Sequence, residues 1–143
     1  MLNVGDIVKL KNICFEAKEV DHAFRIGRPC VFVGEDDNNM YFLPITSNHK
    51  NNDKIVPNEI NNLTKVSSIN IRQLITKPVA FYDARGRIEE KYLIKAFDCI
   101  KKYHGKKLTE DGNTLIDIAN EYLEKSKRRK YVDMDRVNKK IIK

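Results

Sequence analysis

Two short apolar runs with a polar turn between them constrain the fold of this chain more than any other feature. Residues 30–34 read CVFVG, residues 40–45 read MYFLPI, and EDDNN connects them. Successive side chains of a strand point to opposite faces, so strands that are apolar throughout must be covered on both sides. The pair therefore predicts a hairpin in a small closed barrel or sandwich. Pro44 has no backbone donor and predicts a bulge or a sheet edge at its position.

Weaker alternation predicts further strands around this hairpin. DIVKL at 6–10 alternates as a half-buried strand does, and so do the apolar positions of KVSSINIRQL at 65–74. A short strand, PVAFY, is predicted at 78–82. Residues 11–27 and 48–64 are long and polar, which is typical of surface loops, and a loop as long as the first is more often functional than not.

The apolar residues change to helical spacing at Ile88. A helix is predicted from there to Gly105, a natural C-cap residue, and a second helix is predicted after Thr109 as its N-cap. Asp133 is predicted to start a short third helix. The apolar stripes of the first two helices are Leu93, Phe97 and Ile100, then Leu115, Ile118, Ala119, Tyr122 and Leu123.

The predicted fold class is α+β, a small antiparallel β-barrel followed by C-terminal helices. One domain is expected, because 143 residues can bury one sizeable core. Its predicted parts are a barrel core at 1–86, helices at 87–130 and a basic tail at 131–143.

Cysteine usage and hydropathy indicate in which cellular compartment the protein is expected. Cys14, Cys30 and Cys99 are odd in number and widely spaced in apolar contexts. This is the pattern of reduced core cysteines rather than of disulfides or a metal site. The first residues carry charge where a signal peptide is apolar, and no apolar run is long enough to span a membrane. A cytoplasmic chain without a metal or other cofactor is expected.

The basic charge is concentrated at the C-terminal end. Residues 125–143 hold nine Lys or Arg and two Asp, whereas residues 1–124 balance 18 bases against 18 acids. Such a cluster favours contact with a polyanion, because nucleic acids release condensed counterions when cations bind their phosphates. The alternative is a solvated helix, and charge alone does not separate RNA from DNA.

The hairpin register brings polar groups together at the end of the hairpin away from the turn. If Gly34 lies opposite Met40 across the turn, Arg28 lies opposite Thr46. Cross-strand partners have Cβ atoms about 4.5–5.5 Å apart. The guanidinium of Arg28 and the hydroxyls of Thr46 and Ser47 are therefore predicted to converge, even if a bulge shifts the register by one residue.

A planar cation beside two hydroxyls can hold a phosphate. Metal-free RNA cleavage needs a base for the 2′-OH proton, an acid for the leaving 5′-oxygen, and donors that stabilise the charge on phosphorus. The convergent groups supply the last requirement. His22, Arg25 or Lys18 of the first loop are the candidates for proton transfer.

Each of these groups also has a purely structural alternative. Arg28 can pair with an acid such as Glu35 or Asp6. The two hydroxyl residues can merely terminate a strand, and histidines in polar loops are usually only solvated, here His22 and His49.

The order of these motifs resembles that of the MazF/PemK-like endoribonuclease toxins. VGDIVKL, GRPCVFV after a long loop, FLPITSN, and INIRQL before a helix occur in the same order over about residues 3–104. The resemblance implies a compact barrel, shared with the gyrase poison CcdB, and metal-independent cleavage of single-stranded RNA that leaves a 2′,3′-cyclic phosphate. It also implies a catalytic set consisting of the arginine before the first proline and the Thr/Ser pair after the second, here Arg28, Thr46 and Ser47.

Two departures resemble the type III toxins of the ToxN, CptN and TenpN types, the CptN type most closely. The loop after FLPITSN is long and rich in Asn, and the chain continues with a second helix and a basic tail. This resemblance implies an RNA antitoxin, a repeated pseudoknot that the toxin cuts from a precursor and then binds in a closed protein–RNA assembly. In ToxN-type toxins a lysine near the Arg-Pro position contributes to cleavage. Here the nearest lysine is Lys18, and Arg25 lies closer.

The expected function is thus a sequence-selective endoribonuclease toxin. Its expected partners are its RNA antitoxin and cellular RNA, with no DNA and no membrane. RNA contacts are expected from the second loop and the tail, at Asn48, His49, Lys50, Lys54, Lys127, Arg128, Arg129 and Lys130.

Three other readings stay open. One is a homodimeric MazF-like ribonuclease held by a small acidic protein antitoxin, and another is a non-catalytic binder on the same barrel. The third is a plain RNA-binding module, which is disfavoured because the aromatic residues lie mostly inside apolar runs rather than in stacking clusters.

Overall fold

The computed structural model describes residues 2–10, 29–47, 54–77 and 82–142. They form an α+β fold, with a six-stranded antiparallel sheet followed by two helices. The strands are β1 (Asp6–Leu10), β2 (Cys30–Glu35), β3 (Met40–Thr46), β4 (Ser68–Ile69), β5 (Ile75–Lys77) and β6 (Tyr82–Arg87). The helices are α1 (Glu90–His104) and α2 (Glu110–Ile142).

The strands follow the order β4-β3-β2-β1-β6, and β5 pairs with the free edge of β3 beside β4. The turn half of β3, from Met40 to Phe42, pairs with β5, whereas Ile45 and Thr46 pair with β4. The antiparallel sheet and the C-terminal helices that the sequence predicts are confirmed. The described strands leave the sheet open between β4 and β6, so the predicted barrel is not seen among them.

The central hairpin confirms the predicted strands and corrects part of their register. Cys30 faces Pro44 and Phe32 faces Phe42, as expected, but a bulge at Val33 shifts the turn end so that Gly34 faces Tyr41. The bulge expected at Pro44 is absent from this described strand pair. Pro44 lies where β3 changes partner from β5 to β4, and its carbonyl accepts a 2.8 Å hydrogen bond from the Asn70 backbone N–H. Its missing donor therefore interrupts no ladder.

Both faces of this hairpin are buried, as its apolar sequence requires. On one face, Val31, Leu43 and Ile45 join the main core, which packs against both helices. On the other face, a second cluster surrounds Phe32 and Phe42, whose rings meet edge to face at 5.7 Å. The second cluster also holds the predicted core cysteine Cys30, and burial raises the pKa of its thiol.

Both helices begin near the predicted residues and α1 ends where predicted, but α2 extends further toward the C-terminus than expected. Gly105 follows α1, and its N–H bonds the Lys101 carbonyl at 3.1 Å. A separate third helix at Asp133 is wrong, because α2 continues unbroken to Ile142. No Gly or Pro follows Gly112 to interrupt it. The basic segment at 131–143 is therefore mostly the last part of α2 rather than a separate tail.

Strand β6 and the segment before it depart most from the sequence prediction. The structure has β5 at Ile75–Lys77 and β6 at Tyr82–Arg87, and 78–81 of the strand predicted at 78–82 lie outside the described residues. The polar sequence YDARGR forms β6 because it pairs with β1 along its whole length. The predicted surface loop at 48–64 has two buried residues in its described part, 54–64: Ile55 and Asn61.

Replacement of the N-cap residue Thr109 by alanine is expected to destabilise the protein by about 1 kcal/mol. The Thr109 hydroxyl accepts a 3.0 Å hydrogen bond from the Gly112 N–H, which has no helical partner at this position. Urea unfolding followed by circular dichroism measures the change. Thr109→Ser retains the acceptor and is expected to unfold within a few tenths of a kcal/mol of the native chain, so an equal loss in both variants contradicts the cap.

Candidate nucleic-acid interface

A groove of about 420 Å³ lies where β2 begins and β3 ends. Pro29, Ile45 and Ser47 line it on the hairpin side. The rest of the lining comes from β1, from the segment before β4 and from β6, and consists of Ile7, Lys9, Asn62, Leu63, Thr64, Lys65, Ser67 and Arg85. The groove therefore lies at the end of the hairpin where the sequence predicts a phosphate site.

The charge of the groove is positive. Lys9, Lys65 and Arg85 line it, and none of the described lining residues is an Asp or Glu. Three separate elements contribute these cations, so the cluster does not arise from one solvated helix face. Clustered cations without acids attract phosphates and raise their local concentration.

Arg85 is placed by a bulge in β6. Ile7 of β1 faces Gly86 and Val8 faces Ala84, which leaves Arg85 as the extra residue. Bulges bend a strand and change the direction of a side chain, and they are frequent next to functional sites. The Asn62 side-chain amide donates to the Arg85 carbonyl at 2.7 Å and holds the bulge against the neighbouring segment.

Two asparagines fold the neighbouring segment into a compact turn. The Asn61 side chain, 1% exposed, accepts from the Asn58 and Leu63 N–H groups at 3.0 Å and donates to the Val56 carbonyl at 3.0 Å. The Asn58 side chain accepts from the N–H groups of Ile60 and Asn61. Its amide donates to Glu89 at 3.0 Å. Every polar atom of the buried amide is used, so this turn is a defined support for the groove residues that follow it.

The two hydroxyl residues predicted for the site, Thr46 and Ser47, have different surroundings at the end of β3. Ser47 is exposed and lines the groove. Thr46 is half-buried and pairs with Ser68 of β4. The Ile45 N–H donates a 3.0 Å hydrogen bond to the Pro29 carbonyl. The predicted register therefore continues to Pro29, the residue before β2. Thr64 and Ser67 add two hydroxyls that the sequence analysis did not select.

Most of the other predicted catalytic and loop residues lie outside the described residues: Lys18, His22, Arg25, Arg28, Asn48, His49 and Lys50. Lys54 is exposed, and it is not part of the groove lining. Lys127, Arg128 and Arg129 are exposed on α2, whose backbone also includes Lys130. Of the suggested acidic partners of Arg28, Asp6 accepts from the Asn3 N–H at 2.8 Å and Glu35 lies at the turn end of β2.

The histidine that the described residues include, His104, is structural. It is 5% exposed at the end of α1, and its Nε2 lies 2.7 Å from the Ile71 carbonyl. Its ring packs edge to face on Tyr103 with the centroids 4.8 Å apart. It is not part of the groove lining, so it supplies no acid or base there.

The three groove cations are not among the residues that the sequence predicts for the site. Lys9 occupies a polar position of the alternating strand β1, a signal that also fits any solvated strand. Lys65 and Arg85 are 20 residues apart and meet only because the Asn58–Asn62 turn packs on β6. No local sequence pattern predicts the contact between these two segments.

Comparison with known proteins gives no further assignment. No protein-family model, curated protein or solved structure matches the chain. Among the described helices, none combines the length and the apolar composition that a membrane crossing requires. The functional conclusion below therefore rests on the groove and on the motif resemblance.

Proposed function

We propose that this chain is a metal-independent, sequence-selective endoribonuclease toxin of a type III toxin–antitoxin pair. It cuts RNA to leave a 2′,3′-cyclic phosphate, and its own pseudoknot RNA antitoxin, which it also processes, inhibits it. The observation that supports this function best is the groove in which Ser47 lies with Lys9, Lys65 and Arg85 and whose described lining contains no acid.

The groove offers what a scissile phosphate and its neighbours need. In the proposed reaction the guanidinium of Arg28, one peptide bond from Pro29 at the groove edge, stabilises the charge that develops on the phosphoryl oxygens. Ser47 and Thr46 position the phosphate or the 2′-OH. Lys9, Lys65 and Arg85 bind the flanking phosphates, so the strand lies along the groove.

Proton transfer completes the proposed mechanism. A base of the 11–27 loop removes the 2′-OH proton, the oxygen attacks phosphorus, and an acid protonates the leaving 5′-oxygen. The products are a 2′,3′-cyclic phosphate and a 5′-hydroxyl, so atoms balance without a metal or another reactant. His22 is the first candidate because its ordinary pKa suits both roles, with Arg25 and Lys18 as cationic alternatives.

The proposal includes a barrel of the MazF/CcdB kind. It also includes a cytoplasmic location and a closed protein–RNA assembly with the antitoxin. The basic residues of α2 suit an RNA inhibitor, because polyanion binding is driven by many phosphate contacts.

The deciding experiment is co-expression of the chain with its upstream DNA, purification at moderate salt, and sequencing of bound RNA with analysis of its ends. We expect a discrete RNA of repeat length with a 2′,3′-cyclic phosphate, formed equally well in the presence of EDTA. A preparation that carries a small acidic protein instead of RNA contradicts the type III assignment and leaves the nuclease standing. A chain that carries neither and is harmless when expressed alone contradicts the toxin itself.

Replacement of two groove cations, Lys9→Gln/Lys65→Gln, is expected to weaken binding of single-stranded RNA at every sequence and to reduce its salt dependence. Each lost phosphate contact lowers the slope of log K against log salt by about 0.7 for a single strand. Fluorescence anisotropy with 2′-O-methyl RNA, which cannot be cut, measures the change. Lys101→Gln/Lys102→Gln on α1 removes the same charge away from the groove and is the matched control, so an equal loss in both doubles contradicts groove binding.

A further inference from the structure

A second basic concavity, here called the α2 cleft, lies at the end of β6, where Arg87 is in its lining. Its volume is about 640 Å³, and it is bounded by the N-terminal residues, the end of β6, the start of α1 and the middle of α2. Four cations line it, with Glu90 as the one acid among the described lining residues: Arg87, Lys125, Arg128 and Arg129. A cavity of this volume has the size of common ligand sites.

The cations of α2 reach the cleft because of their spacing. Lys125, Arg128 and Arg129 are at positions i, i+3 and i+4, which share one helix face. Lys127 lies off this face and is not part of the cleft lining. The basic run at 127–130 is therefore divided between the cleft and the solvent. Arg87 approaches from β6, so the site combines a strand and a helix.

The acidic residue in the described cleft lining, Glu90, already has polar partners within the protein. Glu90 accepts a 2.7 Å hydrogen bond from the buried Ser126 hydroxyl and lies 3.8 Å from the Arg129 guanidinium. Lys125 pairs with Glu121 at 3.0 Å on the helix surface. Arg87 and Arg128 have no ion pair with any described residue. Two guanidinium groups are thus available for a ligand.

The cleft also has a neutral hydroxyl and an apolar floor. Burial, followed by the nearby Glu90 carboxylate, raises the pKa of Tyr122, so its phenol stays protonated and can donate a hydrogen bond. Ile88 and Leu93 form the floor. The Arg87 and Arg128 guanidinium groups, which pair with no acid in the described part of the chain, suit a phosphate together with the phenol, since guanidinium forks bind phosphate bidentately. The apolar floor suits the sugar or base that the phosphate carries.

The groove and the α2 cleft lie along the same strand. Arg85 lines the groove and Arg87 lines the cleft, two residues further along β6. At the rise of a strand, their Cα atoms are about 7 Å apart. Gly86 lies between them and presents no side chain. A nucleic-acid strand in the groove therefore meets the cleft cations within a short distance.

An acidic cavity adjoins the α2 cleft. Its volume is about 510 Å³, it shares Asn3, Val4, Tyr122 and Lys125 with the cleft, and four acids are in its lining: Glu35, Asp36, Asp117 and Glu121. Acids repel phosphates, so a polyanion bound at the cleft cations is favoured toward Arg87 of β6 rather than toward the acidic cavity.

We propose that the α2 cleft is a second RNA-binding site, which holds phosphates of the inhibitory RNA while the groove holds the strand that is cut. The inference rests on the proposed function, because that function supplies an RNA that must outcompete the substrate. An RNA that occupies both sites gains from effective concentration, by about 10²- to 10⁴-fold over one that occupies the groove alone. An RNA that fits both sites is therefore an inhibitor, whereas an RNA that occupies the groove alone is a substrate.

The experiment compares Arg87→Gln/Arg128→Gln with the control Lys101→Gln/Lys102→Gln, which removes the same charge. The probes are an RNA stem-loop with single-stranded flanks and a short single strand, both 2′-O-methylated so that they stay intact. We expect the cleft double to lose at least about tenfold in stem-loop affinity, with a shallower salt slope, and to lose much less with the short strand. The control double is expected to change both affinities by less than about twofold.

The outcomes separate the cleft from the nuclease. Equal losses in the two doubles, equal losses for the two probes, or tighter binding of an acidic peptide than of the stem-loop would each overturn the cleft as an RNA site. Cleavage of an unmodified RNA is assayed separately. A chain that cuts no RNA but loses stem-loop affinity only in the cleft double refutes the nuclease and keeps the cleft.

Discussion

Gly86→Ala is expected to destabilise the protein by about 3 kcal/mol, whereas Gly34→Ala is expected to change its stability by less than about 1 kcal/mol. Both glycines lie in strands and gain one methyl group. A Cβ on Gly86 would lie 2.6 Å from the backbone carbonyl oxygens of Ile60 and Asn61, which is far inside contact distance. A Cβ on Gly34 would meet only the Ile118 side chain, at 3.6 Å or more.

The clash of an added Cβ at Gly86 cannot be relieved by a small change of side-chain conformation. The opposing atoms are backbone, and the Asn58 and Asn61 side chains hold that backbone in its turn. The Arg87 N–H also bonds the Ile60 carbonyl at 3.1 Å, so separating the two segments breaks a hydrogen bond in addition. The cost therefore falls at the upper end of the range for overpacking.

Urea unfolding of both variants measures this difference, and RNA affinity measures its consequence. Displacement of the turn moves Asn62–Lys65 away from Arg85, so Gly86→Ala is expected to bind RNA less tightly even where it is fully folded. Equal unfolding midpoints for the two variants would show that the turn yields to the added methyl group. In that case the turn is not a rigid support for the groove.

The central hairpin could be predicted from the sequence because its determinants are local. The hairpin Cys30–Thr46 is determined within one short stretch of sequence. Its strands are apolar on both faces, a polar turn of five residues joins them, and Cys30 pairs with Pro44 as the turn length predicts. The Thr109 cap and the helical spacing after Ile88 are equally local. Even here the bulge lies at Val33, whereas the sequence predicts a bulge or a sheet edge at Pro44. A change of strand partner, which the sequence does not show, removes the need for a bulge at Pro44.

The other wall of the groove could not be predicted, because it depends on contacts between distant segments. Strand β6 is polar and carries Gly86, so its pattern favours a loop until β1 pairs with it. The Asn-rich segment has the composition of a surface loop, yet it buries Asn61 through side-chain bonds to its own backbone. The direction of Arg85 follows from a bulge, which adds one residue to a ladder and leaves no mark in the hydrophobic pattern.

Arg28→Ala is expected to lower the rate of RNA cleavage by about 100- to 1000-fold, the effect of removing one preorganised donor from a developing oxyanion. Ser47→Ala is expected to lower it by about tenfold or more, because one hydroxyl of the groove is lost while the neighbouring Thr64 and Ser67 hydroxyls remain. Arg28→Lys keeps the charge but loses the bidentate fork, so its rate is expected to lie between those of the native chain and the alanine variant. Single-turnover cleavage of a labelled RNA in EDTA measures all three rates.

The double variant Arg28→Ala/Ser47→Ala distinguishes a shared phosphate from two independent effects. If both side chains act on one phosphate, the double loses less than the product of the single losses, because the second removal acts on a site that is already disabled. Affinity for 2′-O-methyl RNA is expected to stay within about threefold of the native chain, since Lys9, Lys65 and Arg85 still bind the flanking phosphates. A loss of affinity as large as the loss of rate would make Arg28 a binding residue. Full cleavage by Arg28→Ala would show that the chemistry takes place away from this end of the hairpin. The polar residues at the ends of the two apolar strands would then have no catalytic role.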